Sequence, residues 1–271
     1  MAMSQLAGQR VLITGAGRGI GRAMAVICSQ QGAQVAISSR TESELQETIS
    51  QVTSVCSSDN KESTLIMDSY VADVTNQQQV DAMVSSIVKK WGGIDVLINN
   101  AGRNQASKGP TESLDSDELL SLLNLNVVAI HRVTSAVLNQ SMLQNGGKII
   151  NISSKAGKIG IPSMGLYVTS KFAVEGLTAS WAAELADKNI QINSLSPGMV
   201  DTQSFPKAPG KAGVRSAESV QDGLMLLLHA GVTGHYLHVD ELDQVRAKGL
   251  DDMVALKPIN EPTFDAAAAG R

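Results

Sequence analysis

Apolar residues fall into short uninterrupted runs, of which Val11-Leu12-Ile13 is the first, separated by longer stretches where they recur at helical spacing. The runs predict strands over 10–14, 34–39, 64–71, 94–99, 148–152, 190–195 and 235–239. The longer stretches predict helices, notably over 22–31, 77–90, 113–143 and 165–187. Such alternation builds βαβ units. It therefore predicts one doubly wound α/β domain with a central parallel sheet of about seven strands, flanked by helices on both faces.

Two stretches break the rhythm. The Ser-rich residues 51–63 predict a surface loop, and 203–215, rich in Lys, Pro and Gly, predict a mobile segment. A dinucleotide-type domain would then occupy 1–245, and 246–271, ending in Ala-Ala-Ala-Ala-Gly-Arg, would be a partly disordered extension. The chain's 271 residues and 43% apolar content suit one such domain.

With 22 basic and 26 acidic residues, the net charge is −4 and no Lys/Arg run stands out. That gives no electrostatic case for nucleic acid or a membrane surface, so the expected partner is a small molecule. Cys28 and Cys56 stand apart with no metal-type spacing, which suits a reducing compartment and predicts no metal site. Too few residues precede Val11 for a signal peptide, and no run approaches the roughly 20 apolar residues of a membrane span. A soluble, cytoplasmic protein is expected.

After the first predicted strand comes Thr14-Gly15-Ala16-Gly17-Arg18-Gly19-Ile20-Gly21, opening a helix. Glycines there let the backbone approach a pyrophosphate, which the N–H groups and dipole of the helix start would stabilise. By themselves they also serve a tight turn. The second strand ends Ser38-Ser39-Arg40, lacking the carboxylate that would hold the adenosine ribose of NAD. Arg40 and Arg18 could instead pair with a 2′-phosphate, which favours NADP(H) over NAD(H), although either could be a solvated surface charge.

Further along, Ser153-Ser154 closes a strand and Tyr167-Val168-Thr169-Ser170-Lys171 lies on a helix. Tyr and Lys four residues apart share one helix face. A tyrosine can give a proton to a forming alkoxide, or take one in the oxidative direction. A free phenol titrates near 10, so acting as a base near neutrality asks for about 4 kcal/mol in favour of the anion. The nearby Lys171 and an oxidised nicotinamide would both contribute to it, with Ser154 orienting the substrate oxygen. Taken alone, Tyr-x-x-x-Lys is common on helix surfaces.

The combination is more specific. Gly15-x-x-x-Gly19-x-Gly21, Asn99-Asn100-Ala101-Gly102, Ser154 and Tyr167-x-x-x-Lys171 occur in the order and at the intervals of the classical short-chain dehydrogenase/reductase family, which the chain resembles over about 10–240. The resemblance implies a Rossmann fold. It also implies a catalytic set of Asn126, Ser154, Tyr167 and Lys171, with Asn126 preferred to Asn124 and holding a water in a proton relay. Cofactor contacts would come from Gly15, Arg18, Gly19, Ile20, Gly21, Ser39, Arg40, Asp73, Val74, Asn100, Ala101 and Gly102, from Tyr167 and Lys171, and from Pro197, Gly198, Val200 and Thr202. Asn100 could equally be a buried structural amide, and Pro197-Gly198 a plain turn.

Two departures concern the substrate. The segment after Thr202 is short, with Phe205 its one aromatic residue, and Asp240-Glu241-Leu242-Asp243 replaces the Gly-Gly usual after the last strand. His229, His235 and His238 are expected to be solvated or core residues. The expected activity is NADP(H)-dependent interconversion of a ketone or aldehyde with its alcohol, in a homodimer or homotetramer. The rivals are a non-catalytic NADP(H) sensor, an NAD-dependent alcohol dehydrogenase of the same fold, and an extended-family epimerase or dehydratase. The intact Ser154, Tyr167 and Lys171 argue against the first, and the glycine spacing against the last.

Overall fold

In the computed structural model, which describes residues 5–58, 66–203, 205–207 and 211–260, β1 (Arg10–Thr14) lies inside the sheet, third from one edge. On one side it pairs in parallel with β2 (Gln34–Ser39), which pairs with β3 (Met67–Val71); on the other side follow β4 (Val96–Asn99), β5 (Gly147–Ile152), β6 (Ile190–Ser196) and β7 (His235–His238). An eighth strand, β8 (Lys257–Pro258), adds antiparallel to β7. The sheet thus has one strand more than the pattern predicts, because two residues leave no periodicity to read.

Alternation along each strand divides the core. Val11 and Ile13 pack with α1 (Gly19–Gln30) and α2 (Glu42–Ser58) on one face. Leu12 and Leu97 pack on the other face with α3 (Gln77–Trp91), whose start is capped by Asn76 accepting from Gln79 N at 3.1 Å. The same face is covered by α5 (Ala129–Val137), which continues α4 (Ser116–Leu123) and leads on to α6 (Leu143–Asn145), and by the end of α7 (Gly165–Leu185). On the first face lie also α8 (Gln221–His229) and α9 (Val239–Ala247).

Several expectations need correction. The stretch expected as a loop over 51–63 is helical as far as Ser58, because Val52 continues the apolar face that Leu45 begins; residues 59–63, like 64–65 of the predicted third strand, lie outside the described residues. The helix expected over 113–143 starts at Ser116 and is interrupted by π turns at Asn124–Val128 and Leu138–Met142. This run, Ser116–Asn145, is by length and composition apolar enough to cross a bilayer, contrary to expectation. Its apolar face, with Ile130, Val133, Val137 and Met142 buried, is spent on the sheet. Past residue 245 the described residues continue to 260: α9 runs on to Ala247 across the expected boundary, and Ala255 and Leu256 are buried in the core. The rest of the expected tail, 261–271, lies outside the described residues, as do 204 and 208–210 of the segment expected to be mobile.

A buried amide network ties the layers together beneath the carboxyl ends of the strands. Asn99 Nδ2 donates to Asn151 Oδ1 and Thr134 Oγ1, both at 2.9 Å, and Asn151 Nδ2 donates to Thr178 Oγ1 at 2.9 Å. Thus β4, β5, α5 and α7 share one set of bonds. Asn151→Ala removes two of these bonds from the interior, leaving the Asn99 amide only Thr134 and the Thr178 hydroxyl only Val174 O, an expected cost of about 2 kcal/mol, read as a lower urea midpoint at unchanged slope.

Candidate active site

Sheet order reverses between β1 and β4, and at the carboxyl ends of these strands opens a cleft of about 360 Å³. Its walls bring together Gly15, Arg18, Gly19, Ile20 and Gly21 from the β1–α1 turn, Ser39 and Arg40 from β2, Asp73 and Val74 after β3, and Asn100, Ala101 and Gly102 after β4. Thr202 and Phe205 close the far side. Pro197, Gly198 and Val200 are not among the lining residues; Val200 is buried and bridges to Arg215, which holds the loop against Asp240 and Asp243 at 2.9 and 2.5 Å.

The turn fits a dinucleotide pyrophosphate. Gly15 has φ 65°, and a Cβ there would stand 2.7 Å from Ala101 Cα. Asn100 Nδ2 braces the turn by donating to the carbonyls of Thr14 and Gly15 at 2.9 and 3.0 Å, so the amide is structural while its backbone lines the cleft. The N-cap position of α1, Arg18, makes no side-chain capping bond, leaving the first helical N–H groups available to an anion. Thr48 holds the back of the turn, donating to Ala16 O at 2.9 Å.

Among the lining residues that the sequence reading does not name, one is charged. Glu44, in the first turn of α2, accepts from Arg18 Nη1 at 3.2 Å, and Gln203 accepts from the same nitrogen at 2.7 Å. A carboxylate therefore does stand beside Arg18, on the helix that follows β2 rather than at the strand end. Its signal was an acidic residue in the first turn after β2.

Next to the cleft, Ser154, Tyr167, Lys171 and Asn126 converge. Ser154 stands two residues past the end of β5 as the cap of a short 3-10 turn, Oγ accepting from Ala156 N at 3.1 Å. Tyr167 is buried in the first turn of α7, its N–H donating to Gln105 Oε1 at 2.9 Å, and its ring meets Phe205 edge-on at 5.8 Å between centroids. Lys171 is buried one turn on, Nζ donating to Ile152 O at 2.8 Å and standing 5.7 Å from the centre of the Tyr167 ring. Asn126 sits within the first π turn, where an extra residue per turn re-aims the helix. Its amide donates to Arg103 O (2.9 Å) and Ser170 Oγ (3.1 Å) and accepts from Arg103 N (2.9 Å), clamping the cleft wall to α7. Asn124 instead accepts from Arg132.

Electrostatics here run against the expected activation. Burial pushes the Tyr167 phenol up to about 12, only partly opposed by its hydrogen bond with Ser154. Burial also lowers Lys171 to about 8, with Glu175 opposing. The protein alone keeps the phenol neutral. His238 is buried and caps α9, Nδ1 accepting from Asp240 N at 3.1 Å, and no metal-type cluster occurs among the described residues.

Comparison with known proteins agrees with this geometry. A family model for short chain dehydrogenases matches residues 9–211. A 3-oxoacyl-[acyl-carrier-protein] reductase of Thermotoga maritima is 33% identical over 208 residues, covering 77% of this chain and 80% of that one. Among solved structures, an actinorhodin polyketide ketoreductase variant with NADPH superposes with TM-score 0.75 at 28% identity, over 87% of this chain and 96% of its own. A xylitol dehydrogenase bound to NAD+ gives TM-score 0.75 at 30% identity, over 86% and 98%. The chain therefore belongs to the classical short-chain dehydrogenase/reductase family, oxidoreductases that interconvert carbonyl and alcohol groups with a nicotinamide cofactor.

Proposed function

We propose that the protein is an NADP(H)-dependent reductase of a ketone or aldehyde, able to run in reverse on the alcohol. The observation that carries this is the convergence of Ser154, Tyr167 and Lys171 beside a glycine-lined cleft bordered by Arg18 and Arg40. The nicotinamide, when bound, supplies or accepts the hydride. The glycine turn and the start of α1 would hold the pyrophosphate, Asn100, Ala101 and Gly102 would line the cofactor beyond it, and Thr202 would meet it from the far side, with Pro197, Gly198 and Val200 in the segment behind Thr202.

Ser154 Oγ orients the substrate carbonyl, and Tyr167 Oη gives the proton to its oxygen. A buried neutral phenol is a competent donor at neutral pH, so the raised phenol suits reduction. Lys171 stands ready to stabilise the phenolate left behind, and Asn126, bonded to Ser170, fixes α7 relative to the wall of the cleft. Phe205 keeps water from the phenol. The exposed Leu120, Val128 and Phe172 support self-association through α4, the first π turn and α7. The workplace we propose is the cytoplasm.

The test is consumption of NADPH and of NADH over a panel of ketones, aldehydes and quinones. NADPH-dependent turnover supports the reading; tight binding of either cofactor without turnover on any of them defeats it in favour of a sensor. Glu44, already paired with Arg18, favours a second reading with NAD(H), because its charge opposes a 2′-phosphate. Arg40→Asp is expected to lower the NADPH-to-NADH ratio of kcat/KM by about ten- to a hundredfold, the loss of one charge-assisted contact. Glu44→Gln is expected to raise that ratio. An unchanged ratio in both variants would reject the assignment of this end of the cleft.

A further inference from the structure

Behind Lys171 lies a charged group that the proposed chemistry leaves unused. Glu175 is one helical turn further along the same face of α7 and is 4% exposed. Its Oε2 accepts from Ser194 Oγ of β6 at 3.0 Å and forms an ion pair with Lys158 Nζ at 3.1 Å, while Oε1, fully buried, has no hydrogen-bond partner among the described residues. A carboxylate so deep is costly unless cations compensate it.

Two cations lie near it. Lys158 reaches in from the segment after β5; it is 32% exposed, and its Nζ also lies 4.7 Å from the centre of the Tyr236 ring of β7. Lys171 comes from the catalytic side, buried and donating to Ile152 O. Tyr167 on α7 and Tyr236 on β7 are the other titratable groups facing the pair, and burial raises both phenols, so neither supplies charge. Asp240 and Glu241 of α9 act on Tyr236 from beyond it. Gly157 lets the 3-10 turn come this close: a Cβ there would meet Lys171 O at 2.9 Å and Glu175 Cγ at 3.0 Å.

We propose that Glu175 is a positioning residue for the reaction: its buried carboxylate keeps the Lys171 ammonium charged and seated at the Ile152 carbonyl, next to the phenol. This rests on the roles given above to Tyr167 and Lys171. Burial lowers Lys171 and Glu175 counters that fall. Without the carboxylate, burial acts unopposed and the ammonium loses its proton at lower pH, leaving the phenol without its cation. Lys158 shares the same carboxylate, so removing it leaves the full negative charge to Lys171.

The experiment is the pH dependence of kcat for reduction at saturating NADPH, with unfolding midpoints measured in parallel. In Glu175→Gln the alkaline limb is expected to move to lower pH by about one unit, and Glu175→Asp should recover part of that shift. Lys158→Met should move the limb the other way. A Glu175→Gln enzyme of lower stability whose residual activity keeps the original profile would show a purely structural carboxylate and overturn the proposal. So would a Lys158→Met limb that stays in place or moves acidward, a result available even if Glu175→Gln does not fold. Titrating Lys171 by nitrogen NMR of labelled lysine, in wild type and Glu175→Gln, separates the two levels. An unshifted lysine defeats the role of Glu175, whereas a shifted lysine in an enzyme indifferent to Tyr167→Phe defeats the catalytic assignment instead.

Discussion

Tyr167→Phe is expected to lower kcat for carbonyl reduction by about 10²–10⁴-fold, the usual worth of a positioned proton donor. The ring keeps its place, because the packing against Phe205 and the bond from the Tyr167 N–H to Gln105 do not involve the hydroxyl. NADPH affinity should therefore stay within about twofold of wild type, since only an interaction made in the transition state is lost. Steady-state rates together with NADPH fluorescence titration check both parts. The wild-type pH profile follows from the same groups. The phenol, pushed up to about 12, stays protonated through the neutral range, so reduction should be insensitive to pH on the acid side. It should fall as pH rises through the Lys171 value of about 8, where the cation that stabilises the phenolate is lost. A rate that climbs from pH 8 to pH 10 would contradict this order of events.

Gly21→Ala is the second large effect. The new Cβ would press on the Gly15 carbonyl and stand 2.9 Å from Ala16 Cα. These are backbone atoms of the turn, with no side chain free to swing away, so the turn itself must open. That displaces the Asn100 amide, which holds the Thr14 and Gly15 carbonyls. Affinity for NADPH is expected to fall more than about a hundredfold, because the N–H groups at the start of α1 no longer converge on one anion. Overpacking costs about 1–3 kcal/mol in addition. Calorimetric titration and thermal unfolding measure the two; near-normal binding would mean that the turn does not seat the phosphates.

What could be read in the sequence follows from how local each signal is. Val11-Leu12-Ile13 declares a doubly covered strand, and the sheet bears this out with Val11 and Ile13 on one face and Leu12 on the other. The glycine turn, Asn100-Ala101-Gly102 and Arg40 are contiguous with strand ends, so their convergence on one cleft followed once the strands were recognised. Glu44 was missed because a first-turn helix acid reads as an ordinary dipole partner; its position opposite Arg18 exists only in three dimensions. The serines of 51–58 suggested a loop, yet the buried Val52 outweighs their modest helix propensity. The π turn around Asn126 leaves no periodic mark, since one extra residue looks like noise in a helical pattern. The phenol's direction of shift depends on burial, which no motif encodes.

The short β8 gives the sheet an end. His235 of β7 faces Pro258, a residue with no N–H to offer a further strand, and Ile259 N returns to Gly234 O at 2.8 Å. The first half of the β7 margin, His235 and Tyr236, is thus taken by the protein's own backbone, and that cover carries a proline. Edge-to-edge growth of the kind that seeds aggregation is blocked on this flank, leaving β3 as the sheet's other terminal strand.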